Sequence, residues 1–316
     1  MTSPNTHSKG ILMKRKLSTL VAAIALTATL AACAGGADSA ASGATATADP
    51  SDPVTVKVGV TDGSKAYWQV FVDLAKEEGI DVELQNFTDY QQPNPIVSQG
   101  ELELNQFQHL LFLANYNLSA DADLVPISAT VIYQLGLYTE KDYETPADIP
   151  DGAEIAIPND ATNQARALLV LQSAELITLK DGGGALSTPA DIVADESRVT
   201  VVPVDANQTT VQLKSLDAAI INNNFASDAG IDPTTAIYSD LEDLEAAEPY
   251  INVWVARAED AENPIYAQLV EIYHDPSVTE ALLEESKGTA VAQDQTPAEL
   301  QEILAGLTAD LEAAAS

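Results

Sequence analysis

Positive charge, histidine and cysteine are all scarce in this chain. It has 14 Lys+Arg against 48 Asp+Glu in 316 residues, a formal net charge of -34, with three His and a single Cys. So little positive charge excludes nucleic acid as a partner, because phosphate binding needs a basic footprint. One cysteine, Cys33, excludes an internal disulfide. Beyond residue 32 only His109 and His274 remain. There is no H-E-x-x-H, no G-x-S-x-G and no phosphate loop. DGGG at 181–184 lacks the lysine of a phosphate loop and reads as a turn. Neither a metal site, a cofactor site nor a catalytic constellation is expected, so the chain does not read as an enzyme. The surplus of acids reads as a solvated surface. An apolar fraction of 46% is ordinary for a folded protein, and the length suggests two lobes.

What is present begins with a leader. Met13-Lys14-Arg15-Lys16 is basic, and Leu17 to Ala32 is an apolar stretch too short to span a bilayer. Together they read as a secretory signal over 1–32, with Met13 an alternative start. The run Leu30-Ala31-Ala32-Cys33 resembles a bacterial lipobox, in which the cysteine becomes the lipidated first residue. The expectation is a chain held at the membrane by lipid, without a span. Residues 33–53 are small, polar and proline-containing and read as a flexible tether. Without 1–32, four cations and no acids are lost, and only Arg166, Arg198 and Arg257 remain as arginines.

From residue 54 strands and helices alternate. Strands are expected at 54–60, 80–87, 102–107, 153–158, 198–204 and 218–222. Helical spacing covers 66–79, part of 89–100, 110–118, 162–176 and most of 263–313. The pattern predicts an α/β architecture with mostly parallel sheets. Two long extended runs, 124–139 and 249–257, bracket the second α/β unit. If both cross between lobes, lobe I is 54–136 plus 247–316 and lobe II is 137–246, with a ligand cleft between them.

Open α/β sheets hold ligands at the carboxyl ends of their strands. There the chain places Tyr90 and Asn94, then Phe107 and His109, then Asn163, then Asn222; Asn252 lies in the second crossover. Amides, aromatics and one arginine suit a small zwitterion with an apolar tail better than bond breaking. Arg166, in the helix that opens at PNDATNQAR, can grip a carboxylate with two parallel hydrogen bonds. The helix N-terminus adds free N–H groups. Asp160 reads as the cap of that helix more than as a ligand contact. Tyr90, Phe107, His109 and Tyr133 either line a side-chain pocket or pack in the core; an aromatic pocket would favour a thioether. Asn222 and Asn252 can accept from an ammonium group.

At these residues the chain resembles the methionine-binding NlpA-type lipoproteins of bacterial ABC importers. VKVGV, DVEL, the DY and PN pairs, NQFQH, PNDATN followed by Arg166, LKDG, IIN with FAS, and PYINV occur in the family's order from about 54 to 257. The resemblance implies a two-lobed periplasmic-binding-protein fold that captures L-methionine, and also D-methionine or a methionine-containing dipeptide, for a membrane permease and ATPase. It implies Arg166 on the carboxylate, Asn222 and Asn252 on backbone polar groups, and Tyr90, Phe107, His109 and Tyr133 around the side chain, with Asn163 and Asn94 nearby. It implies an extracytoplasmic, lipid-anchored location through Cys33. Departures fall at Leu110-Leu111-Phe112, Tyr133-Gln134 and Asn222-Asn223-Asn224. Another amino acid is an alternative ligand, and a surface adhesin or structural lipoprotein is an alternative of another class.

Overall fold

A computed structural model describes residues 47–241 and 247–314. The signal segment, Cys33 and most of the tether lie outside the described residues. Residues 48–52 rest on the folded part: the Ala48 amide donates to Gln268 Oε1 at 3.0 Å, and Asp49 and Asp52 form an isolated bridge.

The chain opens with β1 (Val54–Val60), α1 (Ala66–Glu77), β2 (Ile80–Asn86), α2 (Pro93–Ser98), β3 (Leu104–His109), α3 (Leu110–Ala120) and β4 (Leu124–Ala129). Two short strands follow, β5 (Val131–Tyr133) and β6 (Leu135–Tyr138). The middle holds β7 (Glu154–Pro158), α4 (Ala161–Ser173), β8 (Thr200–Val204), α5 (Thr209–Gln212), β9 (Ala218–Asn222), α6 (Asn223–Asp228) and β10 (Tyr238–Ser239). The chain then returns through β11 (Asn252–Arg257), α7 (Pro264–Tyr273), α8 (Pro276–Ser286), β12 (Ala290–Ala292) and α9 (Pro297–Ala314).

Local chemistry sets these boundaries. Helix α1 ends where Gly79 takes φ +84°, a conformation that costs glycine little. A Cβ there would also lie 2.5 Å from the Asp49 carbonyl carbon, so the docked 48–52 segment needs this glycine too. Helices α4, α7 and α8 start on Asp160, Asn263 and Asp275, each accepting a backbone N–H, and proline opens α7 and α8.

Two five-stranded sheets form, ordered β2-β1-β3-β11-β4 and β10-β6-β9-β7-β8. They define the two lobes. The sheets are mixed, not mostly parallel as the alternation predicted. Strand β1 runs parallel to β2 and β3, and β7 parallel to β8 and β9. Strand β11 is antiparallel to β3 and β4, and β6 is antiparallel to β9. The antiparallel strands β6 and β11 are where the chain enters a sheet after crossing. The helical reading of 263–313 also missed β12, which pairs antiparallel with β5. Three residues are too few to carry a readable alternation.

The first sheet is covered on both faces. On one lies an aromatic nest of Trp68, Phe71, Trp254 and Tyr273, with ring centroids 5.2–5.9 Å apart. On the other, Leu110, Leu113, Leu300 and Leu304 pack α3 and α9 against the sheet. Helix α4 covers the second sheet through Leu168 and Leu171. A fourth cluster joins the lobes: Tyr90 and Phe112 from the first pack with Phe225, Leu213 and Ile221 from the second.

Candidate functional site

Strand ends converge on one cleft between the lobes. It is lined by Thr61 and Asp62 after β1, by Phe107, Gln108 and His109 at the end of β3, by Asn163 and Arg166 on α4, and by Asn222, Asn223 and Asn224 where β9 becomes α6. Tyr90, Phe112, Tyr133, Gln134 and Asn252 complete much of the remaining wall. The free volume is about 50 Å³, room for a few waters.

Arg166 is the most deeply buried Lys or Arg among the described residues, its side chain 5% exposed. Its Nε donates to Asp240 Oδ2 at 2.7 Å and its Nη2 to the Tyr133 carbonyl at 2.8 Å. Its Cζ stands 4.0 Å from the centroid of the Tyr250 ring, a stacked cation–π contact. A buried cation requires an anion, and Asp240 supplies it from within the chain. Among the described residues Nη1 makes no hydrogen bond. Nη1 and the second hydrogen of Nη2 are the guanidinium donors left over.

The amides around it are held in a chain. Asp160 caps α4, its Oδ1 accepting from the backbone N–H and the side-chain Nδ2 of Asn163 at 3.0 Å each. Asn163 Oδ1 in turn accepts from Asn222 Nδ2 at 2.9 Å. This order leaves Asn222 Oδ1 buried without a partner, an acceptor suited to an ammonium group. Asn224 Nδ2 and Asp160 Oδ2 are likewise buried and unpartnered. Burial raises the Asp160 carboxyl above its usual range, although hydrogen bonds from Asn163 and Thr162 work against that shift.

His109 serves two elements at once. Its Nδ1 accepts from the Phe112 N–H at 3.1 Å and so caps α3. That bond fixes the proton on Nε2, which is buried and without a partner. Burial, and then the nearby Arg166 charge, push its pKa down to about 3. His109 is thus a neutral donor facing the cleft. Tyr90, Phe107 and Phe112 form an aromatic wall with centroids 5.8–6.3 Å apart. The Tyr90 hydroxyl donates to Asn224 Oδ1 on the opposite lobe.

Of the residues expected from the sequence, Tyr90, Phe107, His109, Tyr133, Asn163, Arg166, Asn222 and Asn252 all line the cleft. Asn94 does not reach it. Its Nδ2 donates to Gln108 Oε1 at 2.7 Å, and its Oδ1 accepts from Asn105 Nδ2 at 2.9 Å, so it stands one layer behind Gln108. Three neighbours of the site escaped the sequence reading. Asp62 follows β1 directly, and the strand-end rule would have found it. Asp240 carried no signal, one among 48 acids, and Tyr250 stood within PYINV without a role of its own.

Two further features of the described residues bear on the site. No group of three or more His, Cys, Asp or Glu side chains is placed to hold a metal ion, and no helix is long and apolar enough to cross a membrane.

Comparison with known proteins gives this cleft a context. Residues 56–293 match the family model described as NlpA lipoprotein. The chain is 35% identical over 248 residues to the D-methionine-binding lipoprotein MetQ of Salmonella typhimurium, covering 77% of this chain and 90% of that one. Among solved structures, the substrate-binding protein of a methionine transporter from Streptococcus pneumoniae superimposes with TM-score 0.70 at 35% identity, covering 76% of this chain and 95% of that one. A nutrient-binding protein from Burkholderia cenocepacia bound to methionine does so with TM-score 0.70 at 37% identity, covering 75% and 99%.

Proposed function

The chain belongs to the NlpA lipoprotein family, and on that premise we propose that it is the methionine-binding component of an ABC importer. The observation that carries this reading is the pairing, in one cleft, of the Arg166 guanidinium, whose Nη1 makes no hydrogen bond among the described residues, with a buried, unpartnered acceptor on Asn222. The first takes the ligand carboxylate and the second its ammonium group. Asn252 and Asn163 complete the polar grip. Tyr90, Phe107, His109 and Tyr133 surround the thioether, where sulfur–aromatic contacts contribute about 0.3–1.5 kcal/mol each. The likeness to a protein solved with methionine bound supports the ligand class.

The two sheets are the halves of a clamp. On this reading the chain crosses first between β5 and β6 and again between β10 and β11. Hinging there opens the narrow cleft, and closure over methionine yields the form that docks on a permease driven by its ATPase. Cys33 carries the lipid that keeps the protein at the extracytoplasmic face of the membrane. The carboxylate and ammonium contacts both come from the second sheet and its helix α4, and the reading extends to L- and D-methionine. No group in the cleft is assigned to catalysis.

Isothermal titration of the purified protein against all amino acids, with both methionine isomers, tests the reading. Saturable heat with methionine above all others is expected. Heat with another amino acid alone would reassign the ligand, and no heat with any would reject the clamp.

A further inference from the structure

We propose that Asp240 makes this cleft select zwitterions over simple anions, by holding Arg166 as an internal ion pair. The inference rests on Arg166 as the carboxylate receptor of the reading above.

Arg166 sits on α4, yet every group that fixes it comes from a crossover. Tyr133 O belongs to the first crossing. Asp240 follows β10, at the start of the second. Tyr250 precedes β11, at its end. The other oxygen of Asp240, Oδ1, accepts from the Leu135 N–H at 2.9 Å, on the far side of Gln134 from Tyr133. One carboxylate therefore neutralises the guanidinium and ties both crossings to it. Its side chain is 20% exposed, inside the hinge and not on the open surface.

The consequence is electrostatic. A lone buried guanidinium would attract any carboxylate. This one is already paired, and the other acids near the cleft, Asp62 and Asp160, add negative charge. Lys65, the next cation, is committed at 3.5 Å each to Asp228 and Glu285. A bare anion thus enters a region with no surplus of positive charge. A zwitterion brings an ammonium group that the same acids favour, so its net cost is small. Arg166 keeps the hydrogen-bond geometry for a carboxylate without the net charge that would admit every carboxylate. Tyr133 O and the Tyr250 ring hold the guanidinium even when the Asp240 charge is removed, so Asp240→Asn changes charge more than geometry.

The test compares L-methionine with 4-(methylthio)butanoate, the same molecule without its ammonium group, on wild type, Asp240→Asn and Asp240→Glu. In D240N the anion is expected to bind at least tenfold tighter, with methionine changed far less; D240E restores the wild-type ratio. An unchanged ratio in D240N, or equal weakening of both ligands, overturns the proposal and leaves Asp240 a purely structural partner. Should D240N fail to fold, Asp240→Ser gives the same comparison. If wild type binds neither methionine isomer, the ligand reading fails separately. Acetate then decides for Asp240, followed through the Arg166 Nε–H resonance: a response in D240N and none in wild type supports the assignment, and equal responses refute it.

Discussion

The side-chain amide of Asn222 donates to Asn163 Oδ1 at 2.9 Å, and its own carbonyl oxygen is left buried with nothing to bond. Removing that side chain should weaken the ligand, at the further cost of the hydrogen bond to Asn163. Asn222→Ala is expected to cost about 1.5–3 kcal/mol of methionine affinity, roughly ten- to a hundredfold in Kd. Titration calorimetry on the variant checks this. A Kd within twofold of wild type would take Asn222 out of the ammonium site.

His109 makes stability depend on pH in a defined direction. Its folded pKa is about 3, below the 6.5 of the free side chain. The unfolded chain therefore binds a proton first as pH falls. The stability contributed by the neutral imidazole is complete above pH 6.5 and is lost as pH drops towards 3, with a slope approaching ~1.4 kcal/mol per unit. His274, also lowered by burial, acts in the same sense. Asp62 and Asp160, raised by burial, act in the opposite sense, gaining stability as pH falls through their raised values. Urea unfolding at pH 7 and pH 5 should show a smaller loss for His109→Gln than for wild type.

Asp160 separates a structural role from a binding one. It caps α4 and carries one buried, unpaired oxygen. Asp160→Ala should lower stability by about 1 kcal/mol, within the usual range for a lost cap. Asp160→Asn keeps the acceptor and relieves a buried carboxyl, so it should stay within about 0.5 kcal/mol of wild type. Thermal unfolding of the ligand-free variants distinguishes the two.

Lys65 spans the cleft from the loop after β1, donating to Ser227 and lying 3.5 Å from Asp228 on the opposite lobe. Lys65→Met should speed methionine release by about three- to tenfold, since a partly solvated pair is worth only ~1 kcal/mol. Trp68, whose Nε1 donates to Asp62 in the cleft wall at 2.8 Å, offers a fluorescence signal for stopped-flow measurement. An unchanged release rate would show that these contacts do not hold the lobes closed.

Much of this was legible along the chain because it is local. The alternation VTVKVGV, the glycine that stops α1 and the Asp160 cap are dictated within a few residues of themselves. The cleft residues at strand ends were legible by one general rule, which places Phe107, His109 and Asn222 together without any knowledge of the sheet order. Asn94 shows the limit of that rule. It too follows a strand, but the tight packing of Asn105 and Gln108 draws its amide into a buried knot.

The sequence by itself determined that Arg166 would be a scarce cation in an apolar helix, and that such a cation needs an anion. It could not say which anion. With 48 acids in the chain, every pairing looks alike until the fold brings two segments together. Only the tertiary structure set Asp240, 74 residues away, at 2.7 Å from Arg166. It did so because both crossings between the sheets converge at one place, and a charge buried there is stable only where the returning chain delivers its counter-ion.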